Sequence, residues 1–295
     1  MKHDVIIIGG SYSGMAAALQ LLRARRSVLI IDGGKRRNRS ASHSHGFLGH
    51  DGVDPDVLAG VAREQLHAYP TLTWLDGEAE QATGTRDDFQ VVCGGTTYSA
   101  RRLLLAIGVS DRLPGIPGVA ERWGKSIFHC PYCHGYELDR GCIGVVATGP
   151  MSIHQAQLLP EWGSTTFFPN GTFELDEAAA EELARRGVTV ETTRIERIDG
   201  DADAVLTDGR RMSFAGLFTA PRNEPSTPIA AQVGCELVET PMGLQISTGE
   251  TKETTVPGVF ACGDAARIPH SVSLAVGDGA WTGAQIHRSL VWPGS

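Results

Sequence analysis

The chain has 295 residues and a net charge of −8, with 41% hydrophobic and 20% charged residues. This composition allows one large α/β unit or two domains with packed cores, and it excludes a largely disordered chain. The acidic excess disfavours nucleic acid or an anionic membrane as the main partner, and no apolar run approaches the ~20 residues that span a bilayer. The N-terminal residues lack the pattern of a signal peptide, so we expect a cytoplasmic protein with mostly reduced cysteines.

A strand, a glycine-rich turn, a helix and a second strand are predicted from residue 4 onward. The strands cover 4–8 and 27–31, the helix covers 15–26, and the turn reads GGSYSG. This turn matches GxGxxG except that a serine replaces the middle glycine, and it still lets a pyrophosphate approach the helix N-terminus. An acid ends the second strand, where it would bind ribose hydroxyls. We predict a dinucleotide site, with an ordinary βαβ turn as the alternative, formed by Gly9, Gly10, Ser11, Gly14 and Asp32.

Residues 35–56 are polar and contain several groups that could bind a metal. These are His43, His45, His50, Asp51 and Asp54. None has the spacing of a zinc site. We therefore predict no metal centre, and we interpret the segment as a loop over a cofactor.

Glycines and prolines divide the rest of the chain. A strand at 103–107 ends at Gly108, another cofactor-binding candidate, and prolines 114 and 117 mark a boundary. A second βαβ unit is predicted from a strand at 142–147, a helix at 152–162 and a strand at 165–168, followed by a helix at 177–186 and a strand at 188–192. Three prolines in 221–228 mark a second boundary, and a strand at 259–262 and a helix at 273–290 close the chain. The fold class is α/β with two Rossmann-like domains, one (113–223) inserted into the other (1–112 and 224–295).

Cys130-Pro131-Tyr132-Cys133 is the most specific signal for chemistry. Two thiols at this spacing can form a small redox-active disulfide; a structural disulfide and half of a zinc site are the alternatives. The flanking residues, His129 and His134, are candidates for acid–base catalysis because imidazole titrates near neutral pH. Cys142 and Cys262 lie in predicted strands, and we expect both to be buried.

These motifs together resemble the low-molecular-weight thioredoxin reductases over nearly the whole chain. The resemblance rests on the 9–14 turn, the cysteine pair and the segment TVPGVFACGDA at 255–265. It implies FAD as cofactor and a homodimer built mostly through the FAD domain. It also implies that Gly263 and Asp264 bind the flavin chain and that His270 and Ser271 stand at FAD-contacting positions.

Two departures separate the chain from thioredoxin reductases. Those enzymes typically have aspartate after the second cysteine, where this chain has His134. Their inserted domain binds NADPH through a glycine-rich turn and an arginine cluster. Here the turn reads ATGPMS at 147–152, and Pro150 removes an amide that would face phosphate. Residues 141–184 contain six acidic residues and no lysine or arginine, so we expect no NADPH site.

The cysteine–histidine motif without an NADPH signature resembles the dithiol-oxidase branch of the same superfamily. That branch closes disulfides in natural products such as gliotoxin, holomycin and romidepsin. The resemblance implies a small-molecule dithiol substrate that attacks Cys130, electron transfer from Cys133 to FAD, and O2 as final acceptor. A disulfide reductase fed by NAD(P)H or another donor, and a redox sensor without enzymatic activity, are the alternatives. Residues 42–52, Tyr132, Tyr136 and Trp281 are candidates for the lining of the substrate site, with ordinary packing or loop positions as the alternative.

Overall fold

The computed structural model describes residues 2–293. Its strands are β1 (Lys2–Ile8), β2 (Val28–Asp32), β3 (Leu72–Asp76), β4 (Ala79–Thr85), β5 (Asp88–Cys93), β6 (Thr96–Leu105), β7 (Val109–Arg112), β8 (Ile127–Phe128), β9 (Arg140–Val146), β10 (Gly163–Phe168), β11 (Thr189–Val190), β12 (Ile195–Asp199), β13 (Asp203–Leu206), β14 (Arg211–Ser213), β15 (Gly216–Thr219), β16 (Arg222–Pro225), β17 (Leu237–Thr240), β18 (Gly243–Ile246) and β19 (Val259–Ala261). Its α-helices are α1 (Tyr12–Arg23), α2 (Pro55–His67), α3 (Val119–Arg122), α4 (Pro131–His134), α5 (Met151–Leu158), α6 (Glu177–Arg185), α7 (Ile229–Gln232) and α8 (Val272–Val291). Short 3₁₀ helices cover Tyr136–Leu138, Leu159–Glu161 and Gly263–Ala266.

The first sheet has the strand order β3-β2-β1-β6-β5-β4, and β19 also pairs with β6. β1 lies between β2 and β6 and is parallel to both, while β4, β5 and β6 pair antiparallel. Residues 5–8 of β1 are buried on both faces, as their unbroken run of β-branched side chains predicts. The carboxyl ends of β1, β2 and β19 therefore meet at one edge of the sheet, where a ligand crevice forms in open α/β folds.

Helices α1 and α8 pack with their backbones close together on one face of this sheet. A Cβ atom on Gly279 would overlap the backbone of Ser13, and one on Gly283 would lie 2.5 Å from the Ala17 carbonyl oxygen. Glycine at these two positions of α8 therefore sets the separation of the helices. This contact fixes α1, and hence the glycine-rich turn that precedes it.

The second sheet, β11-β10-β9-β15-β8, is entirely parallel. Two smaller sheets complete the fold, β12-β13-β14 and β17-β18-β16-β7. The predicted α/β class with two Rossmann-like units is confirmed, whereas the domain bounds stay a prediction. Within the described range, the structure has no helix that is long and apolar enough to cross a membrane.

Several predicted element boundaries differ from the structure for local reasons. α1 begins at Tyr12 rather than residue 15, and it ends at Arg23 because Arg25 has a φ of +59°. The helix predicted to reach residue 162 ends at Leu158 and continues as a 3₁₀ turn that contains Pro160, because proline cannot supply the next helical N–H. The strand predicted at 188–192 is only Thr189–Val190.

The prediction that Cys142 is buried is wrong, whereas Cys262 is fully buried as predicted. Cys142 is the third residue of β9, and the first three residues of that strand are not buried. It opens into a surface cavity of about 320 Å³ that is also lined by Ser164, Thr166 and Thr189. The strand pattern correctly identified the element but could not show which end of it is covered.

Candidate active site

The glycine-rich turn at the end of β1 is shaped by close backbone contacts. Gly9 has a φ of +106°, and a Cβ atom there would overlap the Ala106 carbonyl, while one on Gly14 would overlap the carbonyl of Gly9. Asp32 Oδ1 accepts a 3.0 Å hydrogen bond from the Gly10 N–H. Ser11 is the N-cap of α1, and its side chain accepts no capping hydrogen bond in the described structure. The first amides of α1 are therefore available to an anion.

Arg37 joins two residues predicted to contact FAD, and sequence reasoning missed it. Its guanidinium donates to Asp264 Oδ2 at 3.1 Å and lies 2.7 Å from His270 Nδ1. It also forms a two-point contact with Asp111, with Nε donating to Oδ2 at 2.9 Å. Burial disfavours the charged form of Arg37, but the two carboxylates outweigh this effect and hold the pKa of Arg37 above its usual value. Burial lowers the pKa of His270. We call Arg37, Asp111, Asp264 and His270 the polar cluster.

Gly263 and Ser271 both help to fix the backbone at this edge of the sheet. Gly263 has a φ of +70°, and its N–H donates to Asp278 Oδ2 at 2.9 Å. Asp278 is itself buried and paired with Lys252 at 2.7 Å. Ser271 caps α8 by accepting from the Leu274 N–H at 3.1 Å. The last predicted cofactor residue of this edge, Gly108, has a φ of +66° at the end of β6, with open space where a Cβ would lie.

Cys130 and Cys133 form a disulfide at the start of α4. Cys130 is the N-cap residue of this helix, and its carbonyl accepts a 3.2 Å hydrogen bond from the Cys133 N–H. Both cysteines are half-buried, whereas Tyr132 between them is exposed and packs edge-on against Trp162, with ring centroids 5.2 Å apart. The pair is thus held by one helical turn and is reachable from solvent.

The two histidines that flank the pair occupy different surroundings. The His134 ring stacks on Phe128, with centroids 4.3 Å apart. Burial, and to a smaller extent the nearby His45, lowers the pKa of His134 to about 4. Burial is the main cause that lowers the pKa of His129 to about 4, and the positive charge of Arg37 is the second. All four members of the polar cluster act electrostatically on His129, so it lies where the inserted sheet meets the first sheet. Both imidazoles are therefore neutral at pH 7.

The loop at 42–52 reaches the segment after the cysteine pair. His45 Nε2 lies 3.5 Å from Glu137 Oε1, and His45 Nδ1 lies 3.6 Å from Asp51 Oδ1. Among residues 2–293, no group of histidine, cysteine or acidic side chains could hold a metal ion. Tyr136 and Leu48 are exposed near this loop and the cysteine helix. Trp281, also predicted to line the site, donates instead to the Glu250 carbonyl oxygen at 3.1 Å.

The inserted turn at 147–152 closes on itself. The Thr148 N–H donates to Ser152 Oγ at 3.0 Å, and the Ser152 N–H donates to the Gly149 carbonyl oxygen at 3.0 Å. Two amides of this turn therefore already have partners, and Pro150 has no N–H to offer a pyrophosphate. Sequence reasoning missed Arg194, whose guanidinium lies against Gly171 in the loop after β10. It brings a positive charge near this loop from outside the lysine- and arginine-free stretch.

Comparison with known proteins fits this arrangement. A family model described as pyridine nucleotide-disulphide oxidoreductase matches residues 3–279. The chain belongs to this family. It is 31% identical to thioredoxin reductase tcpT of Claviceps purpurea, over 98% of this chain and 94% of that protein. It is also 31% identical to thioredoxin reductase aclD of Aspergillus oryzae, over 98% of this chain and 96% of that protein. The crystal structure of the oxidoreductase from Agrobacterium tumefaciens is 55% identical, with a TM-score of 0.97, and the match covers 99% of this chain and 100% of that one.

The resemblance to thioredoxin reductases is thus confirmed. Pyridine nucleotide-disulphide oxidoreductases and thioredoxin reductases are generally FAD-binding flavoproteins. The chain is accordingly a thioredoxin reductase-like oxidoreductase. Within that family, it combines His134 after the second cysteine with an inserted nucleotide turn that its own side chains close.

Proposed function

We propose that this protein is an FAD-dependent dithiol oxidase that closes an intramolecular disulfide in a small-molecule dithiol, with O2 as electron acceptor. The observation that carries the proposal is the closed turn at 147–152 in the same inserted unit as the partly exposed Cys130–Cys133 disulfide. A redox pair without an open pyrophosphate site in that unit favours electrons that enter through thiols rather than through a nicotinamide.

The residues at the edge of the first sheet fit FAD. The α1 amides and the Gly9–Gly14 turn would hold the pyrophosphate, and the polar cluster would lie toward the flavin. Asn38 Oδ1 and Arg36 Nε, in the loop after Asp32, are buried without a hydrogen-bond partner in the described part of the chain. Buried polar atoms of this kind are usually satisfied by a ligand or water. When bound, FAD accepts two electrons from a dithiol and delivers them to O2.

The protein's own residues would carry out the thiol chemistry. Neutral His134 accepts a proton from the first substrate thiol, and the thiolate attacks the Cys130 sulfur. The Cys130–Cys133 bond breaks, Cys133 leaves as a thiolate and a mixed disulfide forms. The second substrate thiol loses its proton to solvent water and attacks the substrate sulfur of that mixed disulfide, which releases the closed product and the Cys130 thiolate. Two electrons and two protons have then left the substrate, and the electrons reside on the cysteine pair.

A disulfide reductase is the second candidate, and Arg194 is the observation that favours it. One guanidinium beside Gly171 could pair with the 2′-phosphate of NADPH. The closed turn opposes this function, because the bonds of Thr148 and Ser152 and the missing N–H of Pro150 leave the pyrophosphate few amide donors. The homodimer and the cytoplasmic location stay predictions from the sequence.

The test is anaerobic reduction of the purified flavoprotein by a small dithiol, by NADH and by NADPH, followed at the flavin absorbance maximum. We expect bleaching by the dithiol alone, with colour and hydrogen peroxide appearing when air is admitted. A Cys130→Ser, Cys133→Ser double variant is the matched control and should not bleach with dithiol. Rapid bleaching by NADPH would support the reductase instead.

A further inference from the structure

Helix α5 of the inserted unit is directly linked to the cysteine pair. Gln155 Nε2 donates a 2.7 Å hydrogen bond to the carbonyl oxygen of His129, the residue before Cys130. The Gln155 side chain is buried, with 7% of its residue surface exposed. The helix that follows a closed nucleotide turn is thus connected to the disulfide by one side chain.

The bonded carbonyl is at a position that controls where Cys130 lies. Only His129 and Cys130 connect the end of β8 at Phe128 to the start of α4 at Pro131. Pro131 has no N–H with which to anchor this link. The carbonyl of His129 is therefore an anchored point directly before Cys130, in addition to the hydrogen bond that the Cys130 carbonyl accepts from the Cys133 N–H. Because exchange needs the attacking sulfur in line with the S–S bond, a misplacement of about 1 Å can cost about 100-fold in rate.

The chemistry of Gln155 argues against a role in packing alone. Its Oε1 atom is buried with no hydrogen-bond partner among residues 2–293. An unpaired buried amide oxygen costs about 1–3 kcal/mol, so packing by itself would favour an apolar side chain of the same size. The donated bond to His129 is what distinguishes glutamine from such a side chain.

We propose that Gln155 is a positioning residue that fixes Cys130 through the His129 carbonyl. The inserted helix α5 thereby serves the redox pair rather than a nucleotide. The inference rests on the proposed function only in taking Cys130–Cys133 as the pair that reacts with dithiols.

The test compares Gln155→Glu and Gln155→Met with the wild-type FAD-loaded protein. Reduction of the disulfide by dithiothreitol is stopped with acid at timed intervals, and the free thiols are alkylated and counted by mass. At pH 8 we expect both variants to react at least about ten-fold more slowly than wild type. Methionine lacks the N–H donor, and the carboxylate of glutamate would repel the carbonyl oxygen of His129. As the pH falls to 5.5, Gln155→Glu should approach the wild-type rate, because a buried carboxyl protonates early and its O–H can donate. Gln155→Met should not recover.

Gln157→Glu makes the same chemical change two residues along α5, on a different face of the helix, and should react like wild type at each pH. Wild-type rates for Gln155→Met, or no recovery of Gln155→Glu at low pH, would overturn the inference. Gln155→Met alone decides the matter if the glutamate variant does not fold. The alkylation assay counts cysteine thiols directly and does not depend on the flavin. If dithiol failed to bleach the flavin, the proposed function would be contradicted, but the result for Gln155 would stand.

Discussion

At the scale of single residues, the chemistry depends on a histidine that its neighbours keep neutral. The His134 ring is stacked on Phe128, and burial lowers its pKa to about 4. The imidazole is therefore in its basic form at neutral pH, with a ring nitrogen that can accept the proton of a thiol.

We therefore expect His134→Ala to lower kcat/KM for dithiol-driven reduction of the flavin by about 10²-fold at pH 7, the usual contribution of an acid–base group. In the wild type, the contribution of His134 should persist from pH 8 down to about pH 5 and fall only as the pH approaches 4, where the imidazole becomes protonated. Stopped-flow reduction between pH 4.5 and pH 9 measures both effects. His67→Ala changes an exposed histidine at the end of α2 and is the control. Equal rates for His134→Ala and wild type across this range would remove His134 from the mechanism.

The sequence could identify residues that carry a local motif, but not the partners that hold them. Asp32 and Gly263 stand at the ends of recognisable strands, and the cysteine pair has a recognisable spacing. Arg37 instead meets Asp111 and Asp264 across long stretches of chain, and no spacing rule predicts such contacts. The same holds for Gln155, whose importance lies in one hydrogen bond to a backbone oxygen.

At the scale of elements, buried parallel strands were predictable and half-exposed antiparallel ones were not. β1, β2 and β9 each contain an apolar run followed by turn residues, and β10 ends in two buried phenylalanines. The strand β4, with the sequence AEQATGT, is mostly exposed and has few apolar side chains, so its hydrophobic pattern is weak. Its position depends on pairing with β5, a contact that the local sequence does not encode.

The close contact of α1 and α8 gives a prediction at this scale. Gly279→Ala should lower the free energy of unfolding by about 1–3 kcal/mol, because the added methyl group would overlap the Ser13 backbone. Gly277→Ala, on the exposed side of α8, should raise it by about 0.5–1 kcal/mol, since alanine favours helix and nothing lies within 4 Å. Urea unfolding of both variants at one FAD concentration measures the difference. A stable Gly279→Ala protein would show that the two helices can separate without cost.

At the scale of the whole molecule, the active site is a contact between two sheets. His129 follows β8 of the inserted sheet, yet its electrostatic neighbours lie in the segments after β2 and β19 of the first sheet and in β7. The 42–52 loop makes a second connection through His45 and Glu137. Buried neutral histidines at this contact tie the protonation of the site to the stability of the fold.

The free energy of unfolding should therefore fall as the pH falls from 6.5 toward 4. In this window the unfolded chain binds protons on histidines that stay neutral in the folded protein, so stability rises with pH. Burial is the main cause of the lowered pKa at His3, His129, His134, His270 and His287. Each such histidine contributes a slope of up to ~1.4 kcal/mol per pH unit. Urea unfolding at constant excess FAD measures the slope, and the excess keeps the contribution of cofactor binding comparable between samples.

The double variant His129→Asn, His134→Gln separates the contact between the sheets from the rest of the molecule. Neither replacement titrates in this range, so the double variant should lose stability less steeply on acidification, even if it is less stable at pH 7. His43→Gln, at an exposed position, should keep the wild-type slope. If the double variant also keeps that slope, protons reach His129 and His134 equally in the folded and unfolded states. The contact between the two sheets would then be open to water, and neutral His134 could no longer be explained by its burial.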